Sequence, residues 1–202
     1  MVARSYHSAL RAKQFALTVH RVLQEALPQF EQLGYGGVRI KEVAEKAGVA
    51  QATVYERFTS KAGLLLAVLR EFWEDPAAEE DEAPADDVAT DTLEAWLDGQ
   101  VEAFARGRAL LRAAAEARDV PDVAAYLAAR DLQRRLGLQR RAAAMMGSAR
   151  AGVRPATDNL VDVVAWLLSA ESYLHFVDAR GWPNEVYRQV LDEVVARLLA
   201  ER

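Results

Sequence analysis

Residues 40–61 read IKEVAEKAGVAQATVYERFTSK, and this stretch decides the fold. Four apolar residues recur at the three- and four-residue spacing of one helix face: Ile40, Val43, Ala44 and Ala47. Gly48 is predicted to end this helix, because glycine adopts the left-handed conformation at little steric cost. A second short helix is predicted from about Gln51 to Phe58. Two short helices joined by a glycine turn are typical of a helix-turn-helix, whose second helix enters the DNA major groove.

The second helix leaves small and polar side chains on the face that packing does not need. Val54 and Phe58, which are four residues apart, are expected to face inward. The outward residues are Gln51, Ala52, Thr53 and Tyr55. Glutamine can pair with adenine, alanine and the threonine methyl group can touch a thymine methyl, and hydroxyl groups can reach phosphates. A solvated face would more often carry Glu and Lys, so the pattern favours DNA binding over a purely structural helical hairpin.

The next helix is predicted to begin with a phosphate site. Ser60 is the expected N-cap, and Lys61 follows at the first helical position. Backbone N–H groups and a lysine at a helix N-terminus together bind phosphate. This linker helix is predicted to continue through Phe72.

These residues resemble the DNA-binding domain of TetR-type (tetracycline-repressor-like) transcriptional regulators. The matching positions are Leu33-Gly34-Tyr35, Val43-Ala44, Ala47-Gly48-Val49, Thr53-Val54-Tyr55, Phe58 and Ser60-Lys61-x-x-Leu64-Leu65. The resemblance implies an all-α dimer with a small DNA-binding domain and a larger domain that binds an effector and dimerises. We therefore expect about nine helices, a helix-turn-helix domain at residues 1–60 and an effector-binding and dimerisation domain at 61–202.

The chain departs from the family pattern at four positions. Ala50 stands where the family usually has Ser, so the recognition helix loses a side-chain cap, which costs roughly 1 kcal/mol. Gly63 replaces the usual acid, so no capping box forms after Ser60. Arg39 and Arg57 add cations near the DNA backbone. The residues expected to contact DNA are Arg39, Gln51, Ala52, Thr53, Tyr55, Arg57 and Lys61.

Charge is unevenly distributed along the chain. The net charge is −5, yet residues 1–61 hold nine Lys or Arg against five Asp or Glu, and all the lysines lie there. A basic N-terminal arm can follow phosphates or enter the minor groove. The alternative for this arm is a solvated, disordered tail.

The first helix is predicted from about Ser8 or Arg11 to Leu33 and is closed by Gly34. Pro28 removes the N–H that would bond to the carbonyl of Gln24, so we expect a kink or a fresh helical start there. The expected core stripe is Phe15, Val19, Val22, Leu23, Ala26, Leu27, Phe30 and Leu33.

Along the chain, the net charge of successive segments changes sign after the linker helix and again after residue 105. Residues 71–105 contain thirteen acids and no Lys or Arg, and residues 75–87 read as a flexible acidic loop. A cation-binding or DNA-mimicking segment is the alternative reading of these acids. Residues 106–150 contain ten arginines and four acids. A solvated helix face near the acidic segment is favoured for the arginines over a second DNA-binding patch.

Five helices are expected in the second domain, at about 88–106, 109–117, 121–146, 157–178 and 184–200. The last two resemble the C-terminal part of one TetR subgroup through Trp166-Leu167-Leu168, Glu171-Ser172-Tyr173, Arg180-Gly181-Trp182 and Tyr187. In that family the pair forms a four-helix bundle with its two-fold mate, and both helices here are apolar over a wide arc. We therefore expect a homodimer through helices 157–178 and 184–200. The alternative is an internal helix pair of a monomer.

An effector pocket is implied by the resemblance, between helices of the second domain. The candidate residues are Trp96, Phe104, Tyr126, Met146, Trp166 and Tyr173, and for each of them a plain core position is favoured over a ligand contact. They suggest a small apolar or aromatic effector. His175 is expected to be a core or interface histidine, with a pH-sensitive role as the alternative.

Enzymatic chemistry finds little support in the sequence. The chain has no cysteine, its three histidines lack metal-ligand spacing, and it has no phosphate-binding glycine loop. We expect no cofactor, no metal and no membrane span, and a cytoplasmic location. The sequence predicts a ligand-responsive repressor that a small molecule releases from a palindromic double-stranded DNA operator. The alternative is a helical ligand-binding or protein-docking module without operator binding.

Overall fold

The computed structural model describes residues 2–73, 93–148 and 158–200. Side chains are described within these ranges except at 2–14, 142–148, 158–161 and 197–200. All regular structure in these ranges is helical, so the all-α expectation is confirmed. The helices are α1 (Val2–Gly37), α2 (Ile40–Ala47), α3 (Gln51–Phe58), α4 (Lys61–Trp73), α5 (Leu93–Arg106), α6 (Arg108–Glu116), α7 (Pro121–Ser148), α8 (Asp158–Leu167), α9 (Ala170–Tyr173) with a π-helical continuation (Leu174–Ala179), and α10 (Asn184–Ala200). The acidic loop predicted at 75–87 lies outside the described residues.

The chain forms two compact units. The first unit comprises Met1–Glu74 and Arg112–Ala124, and the second comprises Asp75–Leu111 and Ala125–Arg202. Helices α6 and α7 therefore each contribute residues to both units. The domain boundary at residue 60 stays a prediction.

The core of the first unit forms where α1 packs against α2 and α4. The apolar stripe of α1 is buried in its middle, at Val22, Ala26 and Phe30, and α4 contributes its leucines. Burying each Val, Leu or Phe side chain of this core stabilises the unit by about 1.5–3 kcal/mol. The expectation that Phe15 and Leu33 belong to this core is wrong, because both are about half exposed. Helix α1 has 36 residues and α4 has 13.

The break in α1 lies at Gly34 and not at Pro28. Gly34 has φ 65° and ψ −178°, the one non-helical conformation in this helix, and it closes the long part of α1 as predicted. The fresh helical start that was the second expectation for Pro28 is wrong, because the backbone stays helical through this residue, whereas the kink stays a prediction. The proline removes a single donor, and the neighbouring carbonyl of Glu25 gains one from Gln29 Nε2 at 2.9 Å.

In the second unit α10 packs against α5 and α8. The single helix predicted at 157–178 is wrong, because the chain breaks between α8 and α9. The Ser169 hydroxyl accepts a hydrogen bond from the Ser172 backbone N–H at 3.1 Å, which makes Ser169 the N-cap of α9. None of the described helices is long and apolar enough to cross a membrane.

Candidate nucleic-acid interface

Helix α3 presents the residues that the sequence predicts for DNA contact. Val54 is buried as expected, and Phe58 is half-buried. Gln51, Ala52 and Tyr55 are exposed. They are three or four residues apart around Tyr55, so they are neighbours on the helix surface. Thr53 is half-buried, which leaves less of its side chain available than the sequence suggests.

The N-terminus of α3 lacks a side-chain cap. Ala50 occupies the N-cap position in an extended conformation, and only its backbone carbonyl takes part, by accepting from the Thr53 N–H at 3.0 Å. The loss of the cap expected from the sequence is therefore confirmed.

The turn that follows α3 is strained. The Ser60 N–H donates to the Phe58 carbonyl at 2.6 Å, and Thr59 between them has φ 65° and ψ −41°. These values describe a γ-turn of the rare kind with positive φ at its centre. A β-branched residue held in such a conformation costs on the order of 1–3 kcal/mol.

Gly63 is required by this turn. Its backbone N–H donates to the Ser60 hydroxyl at 3.0 Å, so Ser60 is the N-cap of α4 as predicted. A Cβ atom on Gly63 would lie 1.9 Å from the Phe58 carbonyl oxygen. From the sequence, Gly63 was expected only to lower the stability of α4. The close approach of the Phe58 carbonyl, which requires glycine at this position, has no signature in the sequence.

Lys61 has a structural function inside the first unit. Its ammonium group donates to the carbonyls of Tyr35 at 2.7 Å and Val38 at 3.3 Å. The same group lies 4.4 Å from the centre of the Tyr35 ring. Lysine has three N–H donors, so two of them tie the start of α4 to the segment that follows Gly34. Its phosphate contact stays a prediction.

The two additional arginines have partners on the protein surface. The guanidinium of Arg57 lies 3.7 Å from the centre of the Phe15 ring, which places the end of α3 beside α1. Arg39 Nε is 3.8 Å from Glu42 Oε1, and both side chains are largely exposed. Exposed pairs of this kind are weak, so Arg39 can exchange its partner for a phosphate at little cost.

Glu116, at the end of α6, contacts the break in α1. Its carboxylate accepts a hydrogen bond from the Gly36 N–H at 3.0 Å. A Cβ atom on Gly34 would lie 2.4 Å from Glu116 Oε1, so the carboxylate occupies the space that a glycine leaves open. The two residues are 80 positions apart, and no local pattern in the sequence indicates that they are in contact.

Among the predicted effector residues, the structure brings together Phe104 and Tyr173. Both are buried, and their ring centres are 5.3 Å apart. Trp96 and Tyr126 are half-buried, whereas Trp166 is 55% exposed. The side chain of Met146 lies outside the described residues.

Tyr187 joins this aromatic cluster and was missing from the predicted set. Its ring lies edge-on to Tyr173, with centres 5.4 Å apart, and its hydroxyl donates to the Leu167 carbonyl. Burial raises the pKa of Tyr187 to about 12 and also raises the pKa of Tyr173. Both phenols therefore stay protonated donors at neutral pH, and Tyr173 donates to Asn184 Oδ1 at 2.8 Å.

Two arginines of α7 contradict the expected solvated face. The Arg134 side chain is only 11% exposed and Arg141 is 7% exposed. Each guanidinium lies over an aromatic ring of α5, Phe104 for Arg134 and Trp96 for Arg141. Stacking on an aromatic ring offsets part of the cost of removing a guanidinium from water. The prediction of a solvated face considered only the density of charge and therefore did not include this interaction.

A separate surface cavity of about 290 Å³ lies between α1 and α4 in the first unit. Its walls are mostly apolar and contain none of the predicted effector residues; they are Leu23, Gln24, Leu27, Val68, Glu71 and Phe72. No group of three His, Asp or Glu within the described ranges is placed to hold a metal ion.

Comparison with known proteins supports the assignment of the N-terminal segment. Residues 22–68 match the family model of bacterial regulatory proteins of the TetR family. The HTH-type transcriptional regulator RutR of Escherichia coli is 37% identical over 79 residues, which are 37% of this chain and 37% of RutR. The chain thus covers little more than a third of the length of these curated relatives.

Solved structures extend the likeness to nearly the whole chain at the level of fold. NalD, the secondary repressor of the MexAB-OprM multidrug efflux pump in Pseudomonas aeruginosa, superposes with a TM-score of 0.68 at 17% identity, over 93% of this chain and 100% of NalD. A TetR-family transcriptional regulator from Streptomyces coelicolor gives a TM-score of 0.57 at 19% identity, over 89% of this chain and 79% of that protein. Residues 22–68 are therefore similar to the DNA-binding segment of TetR-family regulators, and the chain shares the fold of these solved structures.

Proposed function

We propose that this protein is a homodimeric transcriptional repressor that a small-molecule effector releases from a palindromic operator. The observation that carries the proposal is the exposed surface of α3, where Gln51, Ala52 and Tyr55 stand together on the second helix of a helix-turn-helix. RutR is a transcriptional regulator and NalD a repressor, which supports the same activity here.

The proposed DNA contacts divide into two kinds. Gln51 and Ala52, at the N-terminal end of α3, would read base edges in the major groove. Tyr55, Thr53, Arg39 and Arg57 would contact the sugar-phosphate backbone, together with the N-terminus of α4 at Lys61. The basic N-terminal arm that the sequence predicts would extend this phosphate surface.

Exposed apolar residues on α8 and α10 support the proposed homodimer. Val163 and Trp166 on α8 and Val186 on α10 are between 41% and 55% exposed, and they lie on the two segments that the sequence predicts for the dimer. A second copy of the chain would cover them and set the distance between the two α3 helices. Successive major grooves on one side of DNA are about 34–36 Å apart, so this distance decides whether both copies can bind.

The proposed release mechanism uses the helices that join the two units. Helix α6 contributes residues to both units, and its last residue, Glu116, holds the backbone at Gly36. Lys61 holds the adjacent carbonyls of Tyr35 and Val38 from the start of α4. An effector that prefers one position of α6 would shift the operator-binding equilibrium through these contacts.

Selection of bound sequences from random double-stranded DNA with the purified full chain tests the proposed function. We expect a palindromic site and a binding constant that falls steeply with salt. Gln51→Ala should weaken binding to that site by about tenfold and relax its sequence preference. Gln32→Ala, an exposed glutamine on α1, is the matched control and should bind normally.

A lack of sequence preference, with binding unchanged in Gln51→Ala, would leave the helical ligand-binding or docking module as the better description.

Lys61→Gln tests both the internal hydrogen bonds and the proposed phosphate contact of Lys61. It should lower the melting temperature of the protein, because it loses two internal hydrogen bonds, and it should weaken DNA binding at every sequence alike. The cytoplasmic location and the absence of catalysis belong to the same proposal.

A further inference from the structure

Helix α7 carries two buried arginines on one face. Arg134 and Arg141 are seven residues apart, which is about two helical turns, so both point toward the same side. Their neighbours Arg135 and Arg140 remain partly or fully exposed, so burial is specific to this face of α7.

The face lies against aromatic residues of α5. The Arg134 guanidinium is 5.4 Å from the centre of the Phe104 ring, and that of Arg141 is 4.9 Å from the centre of the Trp96 ring. Gly137 lies between the two arginines, and a Cβ atom there would approach Trp96 Cζ2 to 3.3 Å. The contact between α5 and α7 therefore contains two guanidinium groups stacked on aromatic rings. A pair of packed helices ordinarily buries apolar side chains instead.

The Arg134 guanidinium is incompletely neutralised. One terminal nitrogen donates to Asp131, yet Asp131 is 56% exposed and thus shares its charge with solvent. The buried Nε of Arg134 has no hydrogen-bond acceptor in the part of the chain that the structure describes. Burial lowers the pKa of Arg134, and the Asp131 carboxylate only partly opposes this. A buried guanidinium N–H without an acceptor destabilises the unbound protein.

The surrounding groups suit an aromatic acid. Nε–H and a terminal N–H of one guanidinium form the fork that binds a carboxylate through two parallel hydrogen bonds. Phe104, beneath Arg134, continues into Tyr173 and Tyr187 through ring contacts of 5.3 and 5.4 Å, which gives an apolar wall beside the cation.

We propose that the α5–α7 face around Arg134 and Phe104 is the effector site, and that the effector is an aromatic carboxylic acid bound through its carboxylate by Arg134. This inference rests on the proposed function as a ligand-responsive regulator and names the chemical class of its ligand. The acid supplies the acceptor that Nε lacks, and its ring packs against the aromatic wall.

Calorimetric titration of the full chain with matched probes tests this assignment. The probes are benzoate, phenylacetate, 3-phenylpropanoate and 4-phenylbutanoate, each paired with its primary amide of nearly equal shape. We expect at least one acid to bind tenfold or more tightly than its amide. Arg134→Gln should abolish this preference, and Arg134→Lys, which keeps the charge but loses the fork, should retain part of it. Arg140→Gln, on the exposed side of α7, should leave the preference unchanged.

A purely structural ion pair between Arg134 and Asp131 would give a different result. Arg134→Met keeps the length of the side chain and removes its charge, so under the proposal it should preserve or raise the melting temperature while it removes the acid preference. Equal binding of acids and amides, binding of none of the eight probes, or an acid preference that survives in Arg134→Gln would overturn the proposal.

Operator binding is measured on the same protein without any probe. Selective DNA binding without acid preference refutes the ligand class and leaves the regulator intact. An acid preference that depends on Arg134, without DNA binding, supports the site and refutes the proposed function.

Discussion

The two turns that flank α3 differ in backbone strain and in the space that they leave for a side chain. Before α3, Gly48 adopts φ 65° and ψ 36°, the Val49 N–H bonds to the Ala44 carbonyl at 3.0 Å, and a Cβ atom on Gly48 would meet nothing within 4 Å. After α3, Thr59 is held in a strained γ-turn, and the Phe58 carbonyl leaves no room for a side chain at position 63.

The two ends of α3 differ in how tightly the adjoining turn is constrained. The entrance to α3, residues 48–50, is a glycine turn followed by an uncapped N-terminus at Ala50. The exit from α3, residues 59–63, contains the γ-turn, the Ser60 cap and the hydrogen bonds of Lys61. Helix α3 packs against both α2 and α4, so the comparison concerns how much substitution each turn tolerates.

The largest expected effect is at the exit. Gly63→Ala places a Cβ atom against the Phe58 carbonyl and forces the backbone to move, so it should destabilise the first unit by about 3 kcal/mol. Amide hydrogen exchange of α3 and α4 measures this loss. Gly99→Ala, where an added Cβ meets nothing within 4 Å, is the control and should be neutral or stabilising. Equal exchange in both variants would show that the exit is not constrained.

Relief of strain at the exit should act in the other direction. Thr59→Gly removes the cost of a β-branched residue at positive φ, and the greater chain entropy of glycine offsets only part of the gain, so we expect a net stabilisation of about 1.5 kcal/mol. Thermal unfolding checks this value, with Thr53→Gly in the interior of α3 as the destabilising counterpart. A lower melting temperature for Thr59→Gly would remove the argument for strain.

The entrance should tolerate substitution better. Gly48→Ala meets no steric obstacle and costs only the left-handed conformation of an alanine, about 1 kcal/mol. The same hydrogen-exchange measurement places it beside Gly63→Ala. The comparison between the two turns fails if Gly48→Ala is as damaging as Gly63→Ala.

The smallest expected effect is the restoration of a cap. Ala50→Ser supplies a hydroxyl that can accept from the first-turn N–H groups of α3, which should stabilise the helix by roughly 0.5 kcal/mol. Operator affinity should rise slightly, because a more rigid α3 loses less entropy on binding DNA. Ala50→Val, which adds no acceptor, should not raise the melting temperature.

Local patterns in the sequence predicted the helix-turn-helix well. The bounds of α2 and α3, the glycine that ends α2, the missing cap at Ala50 and the Ser60 cap all depend on residues within four positions of one another. Such features follow from helix geometry alone, and for this reason they were predictable.

Contacts between residues far apart in the chain could not be predicted from the sequence. The hydrogen bonds from Lys61 to the carbonyls after Gly34, and the contact of Glu116 with Gly36, join segments whose proximity only the tertiary fold creates. The burial of Arg134 was missed for the same reason, because the Phe104 ring that covers it lies on another helix. Phe15 and Leu33 were predicted to belong to the core, yet both are about half exposed. Apolar spacing indicates which face of a helix can be buried, but it does not show how much of that face is covered.

The close approach of Gly63 to the Phe58 carbonyl also limits how this protein can be re-engineered. Exchange of α3 alone for the corresponding helix of a relative would join a foreign residue 58 to the native turn and to a junction shaped for glycine at position 63. A transplant of new DNA specificity should therefore take residues 51–63 as one cassette, so that the turn and its glycine are exchanged together.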